Sequence, residues 1–110
     1  MRWFRSYWSE EDTWFYFEAD AEGWVTRQIE LEGPHEKPVA AASLAESEAA
    51  ERAGSLADYE SLFGSTAGLP VHQWEGYEPE DLTVEAFENV WLTARAACQT
   101  RDRARSSDEA

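Results

Sequence analysis

"WFYFEADAEGWVTRQIEL", residues 14–31, decides the fold. Successive side chains of a strand point to opposite faces of its sheet. Trp14 and Tyr16 therefore point one way from the first arm, and Phe15 and Phe17 the other. A strand with one face in water alternates apolar and polar residues; this one is aromatic on both sides. "DAEG", 20–23, is a turn in which Gly23 is free to take a positive φ. On the returning arm, 24–31, alternation puts Val25, Ile29 and Leu31 on one side with Arg27 between them. Trp24, Thr26, Gln28 and Glu30 take the other side. Trp14 and Trp24 flank the turn and are expected near cross-strand positions. The hairpin thus poses a question: what covers its second face?

Outward from the hairpin, "RWFRSYW", 2–8, has strand composition, and residues 13–19 complete the first arm. "EGPHEK", 32–37, is a loop, and "PVAAA", 38–42, is a short fourth strand that Pro38 confines to an edge. The pattern then changes. "SLAE", 43–46, is a capping box in which Ser43 caps the N–H of Glu46 while Glu46 reaches back; it opens a helix that Gly54 ends. "SLAD", 55–58, repeats the logic and opens a shorter helix, 56–63. Residues 65–81 read as a long irregular connection bearing Trp74 and Tyr77. Thr83 caps the last helix, on which Val84, Phe87, Trp91, Ala94 and Cys98 form one apolar stripe. The stripe predicts that Trp91 is largely buried, with its indole N–H bonded to a carbonyl or carboxylate.

Strands followed by helices predict an α+β domain: an N-terminal antiparallel sheet of three to four strands with two or three helices packed on it. Residues 1–100 form this single acidic domain, and 101–110, "RDRARSSDEA", read as a disordered tail. One sheet face goes to the C-terminal helix. The other goes to the 43–63 helices or the 65–81 loop; if these reach only one face, the second aromatic face is a binding surface.

These residues also resemble a family of small bacterial hypothetical proteins. The resemblance spans about residues 1–97. It rests on the Trp–x–x–Arg–x–Ile–Glu strand, Trp24 to Glu30, and on the helix segment "LTVEAFENVWLTARA", 82–96. It implies a bacterial cytosolic setting and the same fold, and it supplies no catalytic residues.

Composition narrows the function. The 110 residues are 43% hydrophobic and 14% aromatic, with six Trp, enough for a real core. With 9 Lys and Arg against 23 Asp and Glu, the net charge is −14, which repels nucleic acid and anionic membranes. Eleven acids against Arg52 alone lie between residues 40 and 93, so the acidity concentrates on the helices and the long loop. The single cysteine, Cys98, excludes an internal disulfide, and there is no apolar run of membrane-spanning length, so a cytoplasmic protein is expected. His35 and His72 fall in loops without metal-ligand spacing, so neither metal nor cofactor is expected. No nucleophile–base pairing is visible, so no catalytic residue is assigned.

Two binding readings remain. The first is a non-enzymatic protein-interaction module with an acidic face, of which an immunity or antitoxin protein is one instance. Its partner would be a basic protein, met by Tyr59, Trp74 and Tyr77 as anchors with Glu75 and Glu78 beside them. The second is a small-molecule binder using the aromatic sheet face, with Arg5 or Arg27 as polar handle and Trp14 and Trp24 as walls. Arg27, among apolar neighbours, also needs a carboxylate, and Glu18 across the hairpin is the candidate.

Overall fold

A computed structural model of the chain describes the backbone of residues 1–108 and the side chains of residues 1–102. The fold is α+β. Strands β1 (Arg2–Trp8), β2 (Thr13–Ala19), β3 (Val25–Glu32) and β4 (Lys37–Ser43) form an antiparallel meander. Helices α1 (Leu44–Arg52) and α2 (Leu56–Phe63) follow, then a 3₁₀ turn at Val71–Gln73. A two-residue strand β5 (Glu80–Asp81) and helix α3 (Val84–Asp108) come last among the described elements. The sheet order is β4-β3-β2-β1-β5. The fifth strand was hidden in the sequence because its two residues are both acids. It pairs with Phe4 and Arg5 of β1, and Leu82 N–H donates to the Trp3 carbonyl just beyond it.

The sheet has two cores, one on each face. On the first, Tyr16, Ile29, Leu31 and Ala41 pack against Phe87, Ala94 and Cys98 of α3. On the second, Phe4, Phe17, Ala19 and Val25 pack against Val71 of the long loop, with Trp74 and Tyr77 laid beside them. Helix α3 thus covers one face of the hairpin, and the 64–79 connection covers the other.

The chain reaches the second face at two points of close approach. Gly64, at φ +85°, passes so near Ala40 that a Cβ there would lie 2.7 Å from the Ala40 methyl. Gly23, at φ +87°, accepts a hydrogen bond on its carbonyl from Val71 N–H at 2.8 Å, and a Cβ there would meet His72 at 3.3 Å. Both are left-handed positions that side chains seldom adopt. Between these points Gln28 Oε1 accepts from Ala67 N–H at 2.8 Å, fixing the loop to β3.

Several local expectations are corrected. Val25 lies with Phe4 and Phe17, on the face opposite Ile29 and Leu31. The cause is a β-bulge: Arg27 pairs with Glu18 and Val25 with Ala19, so Thr26 is an extra residue that flips the alternation. Trp14 is opposite Leu31, far from the turn that holds Trp24, so the two Trp do not pair. Ser43 caps Glu46 N–H at 3.3 Å as predicted. The reciprocal bond is replaced, because Ser43 N–H donates to Tyr59 Oη at 2.9 Å. Ser55 makes no side-chain cap; its hydroxyl donates to the Ala50 carbonyl. Helix α3 runs past residue 100, and Arg101 Nη2 donates to the Val39 carbonyl at 3.1 Å, so the segment read as a tail begins inside the helix. The side chains of 103–110 and the backbone of 109–110 lie outside the described residues.

Trp91 is only half-buried. Its ring sits against the guanidinium groups of Arg27 and Arg95, 5.0 and 4.9 Å from their central carbons. Phe87, fully buried, is the residue that seats α3. Phe87→Ala is therefore expected to cost about 3–5 kcal/mol in denaturant unfolding, and Trp91→Ala about 1–3 kcal/mol. A larger loss at Trp91 than at Phe87 would contradict this packing.

Candidate functional site: an aromatic cleft on the second face

The first face uses its arginines for internal bonding. Glu18 is buried under α3 and receives four donors. Arg27 Nη2 lies 2.6 Å and Arg27 Nε 3.0 Å from its two oxygens, Trp3 Nε1 donates at 2.9 Å, and the Thr26 hydroxyl at 2.8 Å. The bulge that displaces Thr26 is what brings its hydroxyl to this carboxylate. Arg27 also bridges to Glu88 of α3 and lies over the Phe87 ring, so one guanidinium joins the hairpin to the helix. Arg95 does the same for α1 and α2: it pairs with Glu46, donates to Tyr59 Oη and the Ala41 carbonyl, and stacks on Phe63. Arg5 donates to Tyr16 Oη at 3.1 Å and to Glu80, and its guanidinium lies 4.1 Å from the centre of the Trp14 ring.

Every polar handle named from the sequence is thus engaged within the fold. Arg27 is paired with Glu18, as its strand position requires. Arg5 and Trp14 are stacked on one another. Trp24 stands apart at the β2–β3 turn, 41% exposed. The named interface residues are divided. Tyr59 holds α2 to the Ser43–Glu46 cap. Trp74 and Tyr77 are half-buried and turned onto the sheet, while Glu75 and Glu78 are exposed between and beyond them.

The second face holds an open space that these handles do not reach. A cleft of about 350 Å³ lies between the sheet and the 64–79 loop. Ser6 and Trp8 of β1 and Phe15 and Phe17 of β2 reach it by simple alternation, and Gln28 of β3 closes its floor. Trp74 and Tyr77 form its roof. Phe15 and Phe17 lie parallel within 5°, ring centres 6.0 Å apart. Trp8 stands edge-on to Phe15 at 5.8 Å, Trp74 edge-on to Phe17 at 4.8 Å, and Tyr77 edge-on to Trp74 at 5.4 Å. Trp74 Nε1 donates to the Leu69 carbonyl at 3.0 Å, which fixes its indole in the roof. Trp8 is half exposed at the mouth.

The charged members of the lining are Glu11 and Glu75, both exposed at the rim; the lining includes no Lys or Arg. Beneath the start of the loop, burial pushes the Glu30 carboxyl up from its ordinary value. A hydrogen bond with Gln28 opposes this, while the negative charges of Glu11 and Glu32 add to it. Volume and lining are those of a small-ligand site: an apolar concavity of a few hundred Å³ with few polar groups.

Among the described residues no three His, Cys, Asp or Glu converge to hold a metal ion, and no helix is long and apolar enough to cross a membrane. No family model, no curated protein and no solved structure matches the chain.

Sequence reasoning raised the second-face aromatics Phe15 and Phe17 but did not assign them to a site, and it missed Trp8, Gln28 and Glu11. The signal for Trp8 was present, since it follows Arg2, Phe4 and Ser6 on one side of β1. The signal for the roof was not, because an irregular loop has no periodicity from which to read which side chains turn inward.

The Glu18 cluster gives a pH-dependent stability. Burial opposes ionisation, but the bonds from Arg27, Trp3 and Thr26 outweigh it and hold the carboxyl at about 2, against an ordinary 4.5. A carboxyl depressed in the folded state stabilises above its unfolded value and loses that contribution as pH falls through the folded one. Glu18→Gln is expected to cost about 2–3 kcal/mol at pH 7. The difference from the wild type should shrink through the interval from 4.5 toward 2. Urea melts of both proteins at several pH values measure this, and a difference independent of pH would contradict the assignment.

Proposed function

We propose that the protein is a non-enzymatic binding module, and that its site is the aromatic cleft of the second face, occupied by a small molecule. The observation that supports this reading is the inward turn of Trp74 and Tyr77. Side chains that would anchor a protein partner from an exposed loop instead roof a cavity lined by Phe15, Phe17 and Trp8. The polar groups in the cleft suit recognition better than chemistry. Ser6 is buried, Gln28 is engaged with the loop backbone, and the rim carboxylates are exposed to water. A bacterial cytoplasmic setting belongs to the same proposal, in keeping with a lone, buried Cys98.

A second reading has its own support. Glu48, Glu51, Asp58 and Glu60 are exposed on α1 and α2. This acidic surface suits a basic protein, as an immunity or antitoxin protein would meet, and such an association weakens as salt screens it. The two readings use different surfaces, so substitutions on α1 and α2 leave the cleft untouched.

The test is a titration with a panel of small aromatic and alicyclic compounds, followed by intrinsic Trp fluorescence. Binding is expected to perturb the emission, and Trp8→Ala, at the half-exposed mouth, is expected to weaken it about tenfold while leaving the melt near that of the wild type. A panel that leaves the emission unchanged, or binding indifferent to Trp8→Ala and Tyr77→Ala alike, would overturn the reading.

A further inference from the structure

The cleft combines three features that together select a ligand charge. Its walls offer ring faces and edges from five aromatic side chains, two of them Trp. Its rim carries Glu11 and Glu75 and its lining no cationic group. The chain around it has a net charge of −14, and several of its few bases are held in internal ion pairs: Arg2 with Asp81, Arg5 with Glu80, Arg27 with Glu18 and Glu88, Arg95 with Glu46. From these we infer that the ligand of the cleft is a small organic cation, an ammonium group borne on an apolar or aromatic body. The inference rests on the proposal that the cleft is a binding site and adds the chemical class of what it takes.

The physical reason is differential. A neutral apolar ligand gains only from burial of its surface against the rings. An organic cation gains the same burial, and its charge is attracted by the negative faces of Trp, Tyr and Phe, more strongly where water is excluded. A methylated ammonium suits such walls best because it has little hydration to lose. An anion meets the ring faces, both rim carboxylates and the field of the whole chain, all of the wrong sign. The rim carboxylates, being exposed, contribute mainly long-range attraction.

Three compounds of one shape separate the terms: 3-hydroxyphenyltrimethylammonium, its neutral isostere 3-tert-butylphenol, and the anion 3-hydroxybenzenesulfonate. Calorimetric titration of the intact protein is expected to give affinity about tenfold higher for the cation than for the neutral isostere, and no measurable binding of the anion. The double substitution Glu11→Gln and Glu75→Gln is expected to narrow the cation's advantage and its salt dependence while leaving the neutral compound unchanged. Equal or tighter binding of 3-tert-butylphenol would overturn the charge assignment and leave the cleft as an apolar site. Binding of none of the three would overturn the cleft as a site of this size class, and the charge assignment with it. A trimethyllysine peptide that binds more than tenfold tighter than the free cation would make the occupant a protein side chain and overturn the small-molecule assignment.

Discussion

A sheet that is aromatic on both faces has to be covered on both, and one short chain has to do it. This constraint organises the molecule. The meander is built by residue 43, so the remaining chain must cross the sheet twice. It passes the β4 edge at Gly64, runs over the second face as an irregular loop, pairs briefly with β1 as β5, and returns over the first face as α3. Helix and loop cover their faces differently. A helix presents a continuous apolar stripe, and Phe87, Ala94 and Cys98 are fully buried by it. A loop must satisfy its own backbone polar groups, so it touches the sheet at chosen points, Ala67 on Gln28 and Val71 on Gly23, and leaves space between them. The cleft is that space.

The second economy concerns charge. In so acidic a chain, arginines are scarce, and the fold places them where elements meet. Arg27 joins the hairpin to α3, Arg95 joins α3 to α1 and α2, and Arg101 joins α3 to β4 and the end of α2. Exposed pairs of this kind contribute little, about 0–1 kcal/mol. Those of Arg27 and Arg95 are shielded by Phe87, Trp91 and Phe63, whose rings lie beside the guanidiniums. Trp91 thus acts as a spacer between two cations. That is why it need not be deeply buried. Bases used this way are unavailable to an external anion, and the outward surface keeps its negative sign.

Much of the fold was legible in the sequence. Strict alternation placed Trp14 and Tyr16 opposite Phe15 and Phe17, and the 20–23 turn placed the hairpin. Ser43 and Thr83 marked where helices begin, and Glu18 was the natural partner of Arg27. The errors share a physical origin: each depends on a contact distant in sequence. The bulge at Thr26 is stabilised by the Glu18 cluster under α3, and local propensity carries no trace of it. Tyr59 displaces Glu46 from the Ser43 cap because Arg95, on another helix, draws that carboxylate away. β5 is two acids whose strand geometry comes from the β1 edge alone. The candidate site was half legible. Its sheet-side wall follows from period-two alternation, whereas its roof depends on which way an aperiodic loop turns Trp74 and Tyr77. Read as exposed, these two suggest a partner surface; turned inward, they enclose a cavity.

The six Trp are natural reporters of this division, because Trp8 and Trp74 line the cleft, Trp3, Trp14 and Trp91 lie on the other face, and Trp24 marks the turn. The most direct measurement is the two-dimensional NMR spectrum of the indole N–H groups during addition of 3-hydroxyphenyltrimethylammonium. The Trp3 indole, bonded to Glu18, provides an internal reference on the covered face. Saturable shifts of the Trp8 and Trp74 signals, with those of Trp3, Trp14 and Trp91 unmoved, are the predicted result. Shifts confined to Trp14, Trp91 or Trp24, or no saturable shift at all, would contradict the placement of a binding site beneath the loop.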